Sequence, residues 1–600
     1  MRLHCHGLFL PLYSSPVKHI HFQCRHCSTQ WSREHSLTLD CTLNPCVISA
    51  SWLGSISDSR APPIACLSTP LLIHNSTVHM TTASAPPETL FALTISDHSR
   101  VKLVLDTKFL FLDYLQPRTS SNIACFSPVA CLSPGSAVDD ESSQQCSIPY
   151  FNILYADVTP PNTTTSLINY GTLSLDYCIV TGADAPITAN ERKAKLARLA
   201  FHIDAQSAPA AAAFAAALMA RAYNAAVGCI AQKRLLVFVN PFGGKGKAIR
   251  RFRAGALPVL EVARCKLNIV ETKYRNYALE YVENTQGLEE LYDGIVCCSG
   301  DGIPHEVFNG LAHRSTGPDR AFKIPVCQIP CGTGNALAKN LCGTMDPAYA
   351  ALCTVKGAPT PIDLCIFTQN GKSSVSFLSQ AIGLIADVDL GTEHMRWMGN
   401  ARVTVGLLQR VFAHKSYALD AQVRIVHDSR DQIRRAHKKH TARPVTITPD
   451  SPDLDSSSAE AWPDLKYGDG TDDIPEDWVT LDTSNISLFY VGKMPWMAFD
   501  ALFFPAALPR DGYMDLVTVD ATIPTFEILS IMSGVAEGKH FESDHVKYYK
   551  CDAYRVTPTG QEGYVSIDGE KFDYAPFQVE VKKRLGTVLS YQPIYQAPAI

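Results

Sequence analysis

The chain has 600 residues, a formal net charge of -5 and 46% hydrophobic residues, a globular composition too long for one hydrophobic core. That balance supplies no global basic field, so no nucleic-acid partner is expected. No apolar run approaches the ~20 residues that a membrane-spanning helix needs, and the apolar stretch 7–12 lacks the flanks of a secretory signal, so a cytoplasmic chain is expected.

In chain order, residues 1–79 mix Cys, His, Ser and Pro without periodicity. They are expected to be irregular, either disordered or ahead of the true start, for which Met80 is a candidate. Cys24 and Cys27, with His19 and His21, have half the spacing of a zinc site, but no second half follows. The other cysteines sit largely in apolar runs such as 296–298 and 325–331, which suits buried, reduced thiols. Residues 80–185 read as a β-rich N-terminal region with short strands at 90–95, 101–105 and 148–158; its role is not legible. Residues 186–232 read as a helical connector, in which the alanine run at 210–220 has high helix propensity and stops at Arg221, as a helix packed on protein would.

From 233 to 360, apolar strand-like runs at 235–239, 267–270, 294–298 and 326–329 alternate with helical stretches at 248–264, 277–286, 305–313 and 336–341. That alternation predicts an α/β nucleotide-binding domain with a mostly parallel sheet covered on both faces. From 361 to 595, alternating patterns at 373–378, 484–491, 514–519, 564–567 and 579–581 predict a mostly antiparallel, β-sandwich-like second domain. A basic half and then an Asp, Ser and Pro-rich half at 428–477 read as a disordered insertion.

Three strand-to-helix turns of the α/β domain carry glycine clusters, where an open sheet of this kind binds ligands. The first is Asn240, Pro241, Phe242, Gly243, Gly244, Lys245, Gly246, Lys247. Its glycines let backbone amides approach phosphate oxygens at a helix start; a flexible turn with solvated lysines is the plainer reading. It is not a Walker A loop, because Ala248 stands where a Mg²⁺-binding hydroxyl is needed. The second turn is Ser299, Gly300, Asp301, Gly302, followed by His305, Glu306 and Asn309. A carboxylate between glycines can deprotonate a hydroxyl or hold Mg²⁺, although Asp is also a common helix cap. The third is Gly332, Thr333, Gly334, Asn335.

In order and spacing these turns resemble the catalytic domain shared by sphingosine, diacylglycerol and ceramide kinases, and the segment 383–402 is most similar to sphingosine kinases. The resemblance implies a lipid kinase with ATP and Mg²⁺ as cofactors and Asp301 as catalytic base. It places Asn240, Pro241, Phe242, Gly243, Gly244, Lys245, Gly246, the segment Thr272, Lys273, Tyr274, Arg275, Asn276, then Glu306, Gly332, Thr333 and Gly334 around the nucleotide. Arg396 and Arg402 would hold the phosphates with their planar forks of donors, and Asp568, Gly569 and Glu570 would close the ATP and Mg²⁺ site. The lipid would meet Ser299, Gly300, Asp301, Gly302, Ser379 and Asp389. Thr333 stands where many relatives have Ser, which keeps the hydroxyl, and Phe242 where animal sphingosine kinases often have Arg.

A long-chain base carries an ammonium, so its site needs a carboxylate. Asp387 and Asp389, two apart in a stretch read as extended, would share one face, and Asp389 matches the family's head-group contact. The apolar stretch 494–508 would line an acyl pocket or simply pack the core. The expected substrate is therefore a sphingoid base met at a membrane surface, by a peripherally associated protein, with homodimerisation left open. The alternatives are a diacylglycerol or ceramide kinase, an inactive lipid-sensing scaffold, and a relative of NAD kinases.

Overall fold

The computed structural model describes residues 100–114, 145–159, 171–203, 206–392 except 316, 401–412, 415–442 and 464–600 except 561, with short strand segments ahead of these. Residues 1–86 form a unit of their own, in which Arg2–Cys5 pairs with Leu8–Pro11 and Phe22–Gln23 with Ser49–Ala50. Cys24, Cys27 and Met80 lie outside the described residues.

Residues 87–600 form the second unit. It begins with a seven-stranded antiparallel sheet in the order Gln145–Pro149, Phe109–Tyr114, Arg100–Leu105, Glu88–Thr94, Lys193–Ile203, Gly171–Thr181, Ile153–Thr159. The helix Ala208–Ala222 buries Ala211, Phe214, Ala215, Leu218 and Ala222, a stripe at helical spacing packed in the same core as the sheet. With the residues that follow, it is the one described helix long and apolar enough by composition to cross a membrane.

The expected connector at 186–232 is thereby corrected. Lys193–Ile203 is a strand that pairs along its whole length with Gly171–Thr181, and helix begins only at Ala208. Sheet pairing over eleven residues outweighs the helix propensity of Ala, Leu and Lys.

Next come four parallel strands in the order Lys266–Glu271, Arg234–Val239, Gly294–Ser299, Val326–Pro330. Residues 235–239 and 295–298 are almost fully buried, as expected of a sheet covered on both faces. The long strand Phe577–Ser590 joins this sheet beside Val326–Pro330 and pairs antiparallel with Val546–Pro558 and Ala358–Gln369. The antiparallel second domain thus continues the same hydrogen-bonded sheet through Met514–Asp520, Ile486–Gly492, Ser379–Gly383 and the hairpin Val565–Ile567, Glu570–Phe572.

The expected insertion at 428–477 is ordered at both ends. Arg430–Thr441 is a helix capped by Ser429; Arg430 donates to the carbonyls of Phe541 (2.6 Å) and Val546 (2.8 Å). Ile433 is fully buried against Phe541, Val546 and Tyr548. Farther on, the amides of Lys466 and Tyr467 donate to Glu580, both at 3.1 Å. One buried apolar side chain and a few backbone anchors suffice to order a polar segment whose composition alone suggests otherwise. Residues 443–463 lie outside the described residues.

Candidate active site

The second strand of the parallel sheet in chain order lies on one side of Arg234–Val239 and the third on the other. The crevice at this switch point opens at the strands' C-terminal ends, and the turns 240–247 and 299–302 leave from there. The third turn, 332–335, follows the neighbouring strand. The three are in contact through backbone. A Cβ on Gly332 would lie 2.2 Å from the Gly300 nitrogen, and one on Gly244 (φ +57) would meet the Cys331 carbonyl oxygen at 2.4 Å. Only glycine permits this approach.

Asp301 precedes the helix Gly302–Ala312 but does not cap it with its side chain. Its carboxylate reaches across to accept from the amides of Ala336 (2.9 Å) and Leu337 (3.2 Å) and from Gln328 Nε2 (3.2 Å). Burial pushes the carboxyl up to about 6; the three donors oppose that rise and the Asp568 charge adds to it. The residue keeps part of its surface open. A carboxylate tuned close to neutral is suited to proton abstraction.

Around it, Asn240 Oδ1 accepts from the Phe242 amide (3.0 Å) and shapes the first loop, while Phe242 is 76% exposed. Pro241, Gly243, Lys245 and Gly246 complete that turn, with Lys245 at φ +60. Glu306 accepts from the amides of Asn276 (2.9 Å) and Ala278 (3.0 Å), so it fixes the start of the helix Tyr277–Asn284 and with it the segment 272–276. Burial raises its carboxyl, against those amides, with the Glu570 charge adding to the rise. Thr272 is buried, Lys273 lies over the Tyr277 ring, Tyr274 donates to Glu280 (2.6 Å), and Arg275 is paired with Glu570. Ser299 is buried with its hydroxyl on the Gly300 carbonyl; Gly334 flanks the Asp301 carboxylate, and the Thr333 carbonyl accepts from Asn335 Nδ2 at 3.4 Å.

The expected acidic turn divides into two roles. Asp568 (φ +52) and Gly569 (φ +85) form the two-residue turn between Val565–Ile567 and Glu570–Phe572, the type I′ geometry that Asp-Gly favours. The Asp568 side chain is fully buried. It accepts from Ser376 Oγ (2.7 Å), the amides of Phe377 (3.1 Å), Leu378 (2.9 Å) and Ser379 (2.9 Å), and His305 Nδ1 (2.9 Å). It therefore ties the helix Gly302–Ala312 to the second domain, with its side chain turned into the core. Burial acts to lower the His305 pKa, but the Asp568 carboxylate outweighs it and the net direction is up. Glu570 does face the crevice, since a Cβ on Gly302 would stand 3.4 Å from its Oε1.

Asp387 and Asp389 do not share a face, because Leu384–Asp389 is a helix and residues two apart there diverge. Asp387 is buried and pairs with Lys415 (2.7 Å). Asp389 is half-buried, with Ser566 Oγ at 3.4 Å and Gly569 beside it. Ser379, whose hydroxyl is 3.4 Å from that of Tyr490, joins this group through Asp568. Arg396 lies outside the described residues, as does the side chain of Arg402, whose helix Ala401–Phe412 is described.

Sequence reasoning missed Gln328, His305 and Ser376 as supports. Gln328 had a signal, as the one amide in the apolar strand Val326–Pro330. His305 and Asn309 share a helix face, and Asn309 clasps the Val375 backbone at 2.8 and 3.0 Å.

Residues 234–367 match the diacylglycerol kinase catalytic domain, 482–590 the YegS C-terminal NAD kinase beta sandwich-like domain, and 93–224 a domain of unknown function. Sphingoid long chain base kinase 5 of Saccharomyces cerevisiae is 36% identical over 403 residues, covering 59% of this chain and 58% of that protein. Sphingoid long chain base kinase 4 of Schizosaccharomyces pombe is 34% identical over 446 residues, covering 74% and 88%. Human sphingosine kinase 1 is 31% identical over 353 residues, covering 56% and 85%. Since one of these relatives aligns over most of its own length and of this chain, and the glycine turns converge on one carboxylate, the chain belongs to the sphingoid long-chain base kinase family.

Proposed function

We propose that this chain moves the γ-phosphoryl group of ATP onto the primary hydroxyl of a sphingoid base, with Asp301 as general base. The observation that carries the reading is the Asp301 carboxylate, held by the Ala336 and Leu337 amides where three glycine-bearing turns meet. As the hydroxyl oxygen forms its bond to the γ-phosphorus, its proton passes to Asp301, and the bond between the γ-phosphorus and the bridging oxygen breaks to release ADP. The backbone of the first and third turns would cradle the phosphates. Asp301 and Glu570, both beside Gly302, are hard oxygen donors of the kind Mg²⁺ prefers; the ion would neutralise phosphate charge. No group of three or more His, Cys, Asp or Glu is clustered among the described residues.

Asp389 would pair with the substrate ammonium. Ala386, on the same helix, belongs to a buried cluster with Phe503, Phe504, Ile531 and Phe541, a packed core that holds this helix in place. Such a substrate places the protein on a bilayer surface, so peripheral membrane association in the cytoplasm is part of the proposal. The test is an assay of the purified chain and of Asp301→Asn with ATP against sphingosine, ceramide and diacylglycerol. Sphingosine should be phosphorylated fastest, and the variant should lose about 10²- to 10⁴-fold. Equal rates on the neutral lipids would remove the substrate assignment, and a variant with half of wild-type turnover would remove the base.

A further inference from the structure

The N-terminal β region takes no part in this chemistry, yet it is bonded to the catalytic half behind the active site. Its turn Ile187–Ala189 ends on Asn190, which sits in the left-handed region at φ +54. The turn meets Lys339, on the helix Ala336–Cys342. The Lys339 ammonium donates to the Ile187 carbonyl and to the Asn190 side-chain oxygen and lies 4.6 Å from the Trp496 ring. Among the described residues it has no carboxylate partner. Burial and the nearby Arg192 cation lower its pKa to about 8. A buried ammonium held by neutral oxygens depends on those oxygens staying in place.

The other end of this helix is the one that holds Asp301. The amides of Ala336 and Leu337 bond its two carboxylate oxygens, and the Ala338 amide donates to Gln328 Oε1 (2.8 Å), whose own Nε2 reaches Asp301. The helix has seven residues, so Lys339 is one turn, roughly 4.5 Å of rise, from Ala336. Asn340 adds a second brace, exchanging hydrogen bonds with the Trp496 backbone at 2.7 and 2.9 Å. A rod this short moves as one piece, so a shift at Lys339 appears at Asp301.

We infer that the turn 187–190 of the N-terminal region is a positioning element of the kinase: by holding Lys339 it fixes the helix whose first amides orient the Asp301 carboxylate. The inference rests on Asp301 being the base. Loosening that helix shifts the two amides that aim the Asp301 carboxylate.

The test compares four variants of the full chain. Asn190→Gly removes the acceptor while suiting the positive φ, and Lys339→Met removes the ammonium. Lys356→Met is the matched control, since Lys356 is another buried lysine between the same two regions, donating to the Ala222 carbonyl (3.0 Å) over the Tyr223 ring, away from Asp301. Asp301→Asn tests the underlying reading. Asn190→Gly and Lys339→Met should each lower kcat for sphingosine about tenfold, with KM for ATP changed less than about twofold. Lys356→Met should lower the unfolding midpoint and leave kcat within about twofold. An unchanged kcat in Asn190→Gly, or the same roughly tenfold loss in Lys356→Met, overturns the inference. Near-normal turnover in Asp301→Asn sinks the base assignment itself, whereas an inactive Asp301→Asn beside an unaffected Asn190→Gly sinks only the role of the turn.

Discussion

Asp568→Asn separates a buried keystone from a nucleotide contact. In the wild type, Oδ1 accepts from Ser376, Leu378 and Ser379, and Oδ2 from His305 and Phe377. An asparagine oxygen can keep the first three partners, but its amino group then faces the Phe377 N–H and the His305 ring. Two hydrogen bonds to a buried charge are lost at about 1.5 to 3 kcal/mol each, so roughly 3 to 6 kcal/mol of stability should go. The raised His305 pKa adds a pH signature. A histidine with a raised folded-state pKa contributes stability that is complete below its unfolded value near 6.5 and is lost as pH rises through the folded value. Wild-type stability should therefore fall on going from acid to mildly alkaline pH, and Asp568→Asn should flatten that slope. Urea unfolding across pH measures both quantities. An unchanged midpoint combined with a raised KM for ATP would refute the keystone assignment and restore the direct contact.

Gly332→Ala drives a Cβ to 2.2 Å from the Gly300 nitrogen, so the turns must part; misplacement of about 1 Å costs on the order of 10²-fold in kcat, while the tryptophan fluorescence of the folded protein should persist. Asp301, raised to about 6, should give activity and stability opposite pH trends. Activity falls as the base is protonated below about pH 6, while the native state binds the extra proton between about pH 6 and 4 and is stabilised by it; a stability contribution that falls with acid in this window, judged against Asp301→Asn, would contradict the burial argument. Asp389→Asn should reduce kcat/KM for sphingosine by about 2 to 5 kcal/mol of transition-state stabilisation and spare ceramide and the KM for ATP, with equal losses on both lipids counting against the ammonium pairing.

The parts of the site legible in sequence are those whose chemistry is local. Gly332 and Gly244 stand where backbones touch, so composition alone exposes them, and the strands Gly294–Ser299 and Val326–Pro330 are apolar because both faces are covered. What the sequence hid depends on distant partners. A carboxylate in an Asp-Gly turn reads the same whether it faces a crevice or is buried, and the partners that decide the matter for Asp568 are 192 residues away at Ser376 and 263 away at His305. Likewise Ile385, Asp387 and Asp389 alternate as a strand would, yet Gly383 at φ +89 ends the strand and a helix begins. The strand Lys193–Ile203 fails as a helix for the same reason, since its neighbour Gly171–Thr181 is invisible to a window of local propensity.

Among the described residues, two ion pairs cross between the α/β half and the second domain near Asp301, and they differ in kind. His305 with Asp568 is buried and surrounded by donors, so breaking it would strand a charge in a dry site. Arg275 with Glu570 is open, with side chains 68% and 32% exposed, and an exposed pair adds little to stability. The first is therefore a fixed pin. Under the proposed function the second could open when a nucleotide binds, which would leave the guanidinium for phosphate and the carboxylate for a metal. Placing the buried bond two residues from the open one, across Gly569, keeps Glu570 in range of Gly302. It also explains why Asp568 and Glu570 sit on either side of a tight hairpin: the turn puts one carboxylate into the core and the next at the crevice.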